Sequence, residues 1–92
     1  MNEKQREILV ITQEECAEVI QAISKCFRFG PDQIKPGKER TNISMLQEEL
    51  GDLLAMIDLL AKENVGVTHL QLMFAKDAKF QKLKQWSNLK ID

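Results

Sequence analysis

The 92-residue chain lacks the features by which several common classes of protein are recognised. It has no tyrosine, one tryptophan, one histidine, two cysteines and two prolines. Its 13 lysines and arginines do not exceed its 14 acids, which argues against a nucleic-acid partner. No apolar run reaches the ~18 residues of a membrane span. The charged start, MNEKQRE, is unlike a signal peptide. We therefore expect a cytoplasmic protein with no membrane partner.

The two cysteines are predicted to be buried free thiols. Cys16 and Cys26 would lie ~15 Å apart on one helix, at ~1.5 Å per residue, which is too far for a disulfide. Both fall on the apolar side of that helix, where free cysteine behaves as a small hydrophobic residue. Neither has the spacing of a zinc ligand.

The positions of helix-breaking and helix-capping residues predict three helices in a single domain spanning residues 1–92. Glycine and proline in the first half are confined to FGPDQIKPGKERTN, which indicates a loop. Asn42 or Ser44 is expected to cap the second helix, and Thr68 with Gln71 has the spacing of a capping box for the third. The first predicted helix runs from about Glu3 to Phe29, and the second from its cap at Asn42 or Ser44 to about Glu63. The third opens at the Thr68–Gln71 pair and runs to about Trp86. The alternation typical of strands is absent, so the expected fold class is all-α.

The first two helices each carry two acids within or beside an apolar stripe. In ITQEECAEVIQAI, Glu15 falls at the centre of the stripe and Glu18 about 60° away at its edge, at about 100° per residue. In MLQEELGDLLAMIDLL, Glu49 and Asp52 repeat this arrangement. The polar arcs hold the remaining acids of these segments, namely Glu14, Glu48 and Asp58. An i, i+3 pair lies on one helix face, so each helix presents two carboxylates together.

Four converging carboxylates need a positive partner. Burying one unpaired carboxylate costs on the order of several kcal/mol, and the core-facing arcs of both helices contain no lysine or arginine. Mg²⁺ or Mn²⁺, which prefer oxygen ligands, would supply the charge. A di-iron site needs Glu-x-x-His motifs, and His69 belongs to neither acid pair. In the competing interpretation, the acids lie at helix edges, reach solvent and pair with surface lysines.

The motifs EECAE and ELGD, the latter within EELGDLL, resemble those of the MazG-like family of all-α nucleotide pyrophosphohydrolases. The resemblance spans Glu14 to Leu60 and continues more weakly through AKDAKFQKL. It implies Mg²⁺-dependent cleavage of a nucleoside triphosphate to the monophosphate and pyrophosphate. The implied metal ligands and catalytic acids are Glu15, Glu18, Glu49 and Asp52. Glu48 would support them or activate water, and Lys25 and Lys79 would contact phosphates.

The remaining constellations favour a metal-activated water over a covalent nucleophile. The chain has no Ser/His/Asp or Cys/His arrangement, and GPDQIKPGK departs from the Walker pattern because GKE follows. The alternative function is a non-catalytic metal- or nucleotide-binding module, or a structural helical oligomer, of the same fold.

The apolar residues outside the main stripes predict a homo-oligomer. Four of them lie on the first two helices: Val10, Ala17, Ala55 and Leu59. The third helix carries apolar residues on two sides, and a three-helix monomer buries only one stripe per helix. The family resemblance implies a homodimer or homotetramer in which helices from two chains complete a four-helix-type bundle. The active site is expected near that interface.

Overall fold

The computed structural model describes residues 1–91 and contains three helices: α1 (Glu3–Phe29), α2 (Asn42–Lys62) and α3 (His69–Trp86). The 30–41 loop joins α1 to α2 and includes an antiparallel bridge between Ile34 and Thr41. Within residues 1–91, no helix is both long enough and apolar enough to cross a membrane. The all-α prediction is confirmed.

The helices begin at side-chain caps, two of which have the reciprocal form. Asn2 and Gln5 form a capping box at α1, and Thr68 with Gln71 forms the predicted one at α3. The prediction for α2 was wrong by at least one residue, because Thr41 is the cap and accepts a hydrogen bond from the Ser44 N–H. The side chain of Asn42 is occupied elsewhere, since its Nδ2 donates to the carbonyl oxygen of Gly30 at 2.9 Å.

α1 and α2 form an antiparallel hairpin with a small core. At the open end of the hairpin, Lys4 Nζ lies 3.1 Å from Glu63 Oε1. Nearby, Gln5 Nε2 donates to the Glu63 carbonyl oxygen at 3.0 Å. The apolar side chains that are buried in this hairpin are Ile8, Val19, Ala22 and Leu60. Such a core is modest for a chain of this length.

α3 barely contacts the hairpin, and the described chain is flat. The chain measures 42 × 38 × 14 Å along its principal axes, and its Cα radius of gyration is 16.1 Å. A compact domain of this length would have a radius of about 12 Å. The three helices therefore do not close into a bundle within one chain. Completion of a four-helix-type bundle by a second copy stays a prediction.

Several residues predicted to extend the buried arc of α1 are exposed. Ile20 is 68% exposed and Phe27 is 85% exposed. Cys16, predicted to be a buried thiol, is exposed, whereas Cys26 is half-buried; both are free. Periodicity identifies the apolar side of a helix, but one neighbouring helix covers only part of that side. The four residues predicted to lie outside the main stripes of α1 and α2 are exposed, as expected: Val10, Ala17, Ala55 and Leu59.

Candidate functional site

Three of the predicted acids converge between α1 and α2. Glu15, Glu49 and Asp52 each offer a carboxylate oxygen, and these oxygens all lie within 4.8 Å of one another. Glu15 and Glu49 are half-buried, while Asp52 is exposed. The i, i+3 spacing puts Glu49 and Asp52 on one face of α2, and Glu15 approaches from α1. The hairpin thus brings Glu15 close to Glu49, although the two residues are 34 positions apart in the chain.

One carboxylate oxygen of this cluster lacks a hydrogen-bond donor within the described part of the chain. Glu15 Oε2 is buried and has no hydrogen-bond partner among residues 1–91. A buried carboxylate oxygen without a partner is costly, so the arrangement favours a bound cation. At Mg²⁺–O distances of about 2.1 Å, ligand oxygens on opposite sides of one ion lie ~4.2 Å apart. The separations of the three carboxylate oxygens, at most 4.8 Å, are close to this span. The donor set fits a hard divalent cation.

Partial burial and the negative charges of the cluster both raise the pKa of Glu49. Partial burial raises the pKa of the Glu49 carboxyl above its ordinary value of 4.5. Like charges raise this pKa further, in the order Glu18, Asp52, Glu15 and Glu48. Ionisation of Glu49 is therefore harder in the folded chain than in the unfolded chain, and a positive charge among these acids would offset the difference.

The other two acids predicted for the site lie at its edge. Glu18 is exposed and lies outside the three-acid cluster, but it lines a pocket together with Glu49. Glu48 is exposed on the polar side of α2 and forms an ion pair with Arg40. Glu14 is exposed, as its place on the polar arc predicted.

The pocket beside the acids is also lined by basic side chains. Its volume is about 190 Å³. Glu18 and Glu49 line it together with the basic residues Lys25, Lys35, Lys38 and Arg40. Adjacent acidic and basic groups suit a ligand that is anionic and is also bound through a metal ion. Polyphosphates meet both conditions.

The 30–41 loop is held in place at the start of α2. The backbone N–H of Asn42 donates to the Gln33 carbonyl oxygen at 3.0 Å, and that of Ile43 donates to the Pro31 carbonyl oxygen at 2.9 Å. Gly30 ends α1 with φ 98°, a left-handed conformation that favours glycine. These bonds return the chain sharply from α1 to α2 and keep the loop cations beside the pocket.

Comparison with protein families decides the assignment. The model of the MazG nucleotide pyrophosphohydrolase domain matches residues 3–86, a span that contains all three helices. The chain belongs to the MazG family. A comparison with curated proteins and one with solved structures gave no match. The resemblance inferred from EECAE and ELGD is therefore confirmed.

The basic residues of this MazG domain were only partly anticipated. Lys25 lines the pocket, whereas Lys79 is an exposed residue of α3 and is not among its lining residues. That either lysine contacts phosphates stays a prediction. Sequence reasoning missed Lys35, Lys38 and Arg40. A signal was present, because KPGKER concentrates three cations in the loop that joins the two acid-bearing helices.

Proposed function

We propose that this MazG domain is a Mg²⁺- or Mn²⁺-dependent hydrolase that converts nucleoside triphosphates, ribo or deoxy, to the monophosphate and pyrophosphate. The observation that carries the proposal is the pocket in which Glu18 and Glu49 meet four basic side chains. A triphosphate with its divalent cation complements both the acidic and the basic side chains. Membership of a nucleotide pyrophosphohydrolase family supports the same reaction.

In this proposal the acids hold the metal ion. Glu15, Glu49 and Asp52 are already grouped, and Glu18 joins them from the rim of the pocket. A divalent cation bound there would offset charge on the phosphate oxygens and lower the pKa of a bound water molecule. Neutralising the cluster also satisfies Glu15 Oε2 and relieves the repulsion felt by Glu49.

The basic residues orient the phosphate chain against the acids. Arg40 offers a planar guanidinium that can contact two phosphate oxygens at once. Lys25, Lys35 and Lys38 supply point charges on flexible stems. Because all four line the same pocket as Glu49, the triphosphate would contact these basic side chains while its metal ion is bound by the acids.

The reaction cleaves one phosphoanhydride linkage with one water molecule. The water oxygen bonds to one phosphorus atom of the α–β anhydride as the bridging P–O bond breaks. Pyrophosphate and the nucleoside monophosphate separate, and a carboxylate accepts the water proton. Glu48 is ion-paired with Arg40 before substrate arrives. Transfer of Arg40 to a phosphate would free Glu48 for this role.

We also propose that the working unit is a homodimer or homotetramer. The 14 Å thickness of the chain leaves apolar side chains such as Ile20, Leu54 and Leu70 at least 60% exposed. Exposed apolar residues on all three helices are more than a lone helical hairpin can cover. A second copy would bury them, and it would bring another α3, with its Lys79, towards the site.

The first experiment is a turnover screen. Canonical ribo- and deoxynucleoside triphosphates are incubated with the protein and Mg²⁺ or Mn²⁺, and phosphate is measured with and without added inorganic pyrophosphatase. We expect phosphate only when pyrophosphatase is present, because the direct product is pyrophosphate. If no nucleotide is hydrolysed but metal still raises the melting temperature, the protein is a non-catalytic binding module. Loss of both responses would leave a structural helical oligomer.

A further inference from the structure

A second pocket adjoins the charged one. It has a volume of about 270 Å³. Three of its lining residues, Phe29, Gln33 and Pro36, belong to it alone, and the other three are shared with the charged pocket: Lys25, Lys35 and Asn42. The shared residues make the two pockets contiguous. The chain therefore presents one cleft with a charged half and a half built around an aromatic ring and a proline.

The two halves together fit one kind of ligand. Sites for drug-sized ligands usually begin at about 300 Å³, and neither half alone, at about 190 and 270 Å³, reaches that size. A ligand with anionic groups at one end and, at the other, a ring that can stack on Phe29 and hydrogen-bond at its edge would suit both. We propose that the second pocket binds the base of the nucleoside triphosphate, with Phe29 as its stacking partner and Gln33 as the residue that reads its edge. This inference depends on the proposed function, since the phosphate chain must occupy the charged half.

Phe29 is suited to stacking. It is the last residue of α1 and is 49% exposed. The guanidinium of Arg28 lies 4.9 Å from the centroid of the Phe29 ring, a cation–π contact that occupies one face. Phe29 lines the second pocket, and the proposal assigns the other face of its ring to a base. Because Gly30 and the start of the 30–41 loop are bonded to α2, the backbone next to Phe29 is fixed relative to the charged pocket.

Gln33 combines a fixed backbone with an available amide. Its carbonyl oxygen accepts from the Asn42 N–H at 3.0 Å, and its own N–H donates to the Gly30 carbonyl oxygen at 3.4 Å. Its side-chain Oε1 lies 3.5 Å from Asn42 Nδ2, while its Nε2 donates to no acceptor among residues 1–91. A side-chain amide offers both donors and an acceptor, the groups that distinguish one base edge from another.

The test compares nucleotides with inorganic triphosphate, which has the charge but no base. Isothermal titration calorimetry with Mg²⁺ measures binding of inorganic triphosphate, and of each nucleotide as its non-hydrolysable α,β-imido analogue, to the wild type, Phe29→Ala and Phe27→Ala. Phe27, two residues earlier on α1 and 85% exposed, lines neither pocket and is the matched control. Circular dichroism and light scattering first establish that each variant keeps the wild-type helix content and mass.

We expect the wild type to bind its best nucleotide more tightly than inorganic triphosphate. Phe29→Ala should weaken nucleotide binding about tenfold, as loss of one base–aromatic stack does, and change triphosphate binding by less than about twofold. Phe29→Trp should restore nucleotide affinity, and Phe27→Ala should match the wild type. Gln33→Leu should narrow the affinity range among the bases without affecting inorganic triphosphate.

Other results overturn the inference in distinguishable ways. Equal weakening of nucleotide and triphosphate by Phe29→Ala, or no weakening of either, rejects the base site. If hydrolysis is normal in that case, the proposed function survives. A wild type that binds and hydrolyses neither ligand rejects both.

Discussion

Replacing Glu49 by glutamine tests the site by changing one carboxylate oxygen to an amide NH2 group. The substitution keeps the size of the side chain and removes the charge that Glu18, Asp52 and Glu15 oppose. Without metal, the folded chain no longer has to hold an ionised carboxylate in a disfavoured position. We therefore expect the melting temperature of metal-free Glu49→Gln to exceed that of the wild type at pH 7.

The same change should remove most of the response to metal. Loss of an outer-shell partner alone typically weakens metal binding ~10–100-fold, so loss of a ligand from a three-acid cluster should weaken it at least about 100-fold. At a metal concentration of ~100 times Kd, binding stabilises the wild type by ~2.7 kcal/mol; after 100-fold weakening, ~0.4 kcal/mol remains. For a domain of this size these values correspond to melting shifts of about 11–22 °C and about 2–3 °C.

Differential scanning calorimetry with and without Mg²⁺ measures both effects, and a turnover assay should show at least about 100-fold loss. Glu14→Gln is the control, because Glu14 is an exposed acid of α1 outside the cluster. A Glu49→Gln variant that keeps the metal shift, or a Glu14→Gln variant that loses it equally, would refute the arrangement of acids.

Three further predictions follow from particular contacts. In the metal-free wild type, Glu49 should lower the free energy of unfolding as the pH rises from 4.5 through its raised pKa, because the carboxyl ionises at lower pH in the unfolded chain than in the folded one. Urea unfolding at a series of pH values should show a weaker dependence of this free energy on pH for Glu49→Gln than for the wild type. Light scattering with size exclusion should give at least twice the 10.6 kDa chain mass, and Leu54→Lys, at a side chain 62% exposed, should lower it; an unchanged mass would place the interface elsewhere. Asn42→Ala removes the buried donor to Gly30 and should lower the free energy of unfolding by about 1–3 kcal/mol, whereas exposed Asn88→Ala should change it by less than about 0.5 kcal/mol.

The regular features of this chain were predictable because they depend on local periodicity. The breakers between residues 30 and 41 and the Thr68–Gln71 pair indicated where the helices end and begin. The same periodicity put Glu15 and Glu49 at the centre of their stripes, and the structure brings their carboxylates together.

The features that were missed depend on contacts between distant residues. The sequence KPGKER shows that the 30–41 loop is rich in cations, but no helical period governs this loop. That Lys35 and Lys38 share a pocket with the acids therefore depends on the hydrogen bonds between the loop and α2. Asn42 resembled a cap in sequence, yet its amide crosses to Gly30. Similarly, periodicity puts Ile20 on the apolar side of α1 but does not specify which residues cover it. Within residues 1–91 its side chain stays 68% exposed.

The most direct test of the central claim is ³¹P nuclear magnetic resonance of a nucleoside triphosphate turned over by the protein with Mg²⁺. The proposed function predicts that the triphosphate signals are replaced by those of the monophosphate and pyrophosphate in equal amounts, with no orthophosphate, and that Glu49→Gln leaves the spectrum unchanged over the same time. Formation of the diphosphate and orthophosphate, or an unaltered triphosphate with every nucleotide tried, would contradict it.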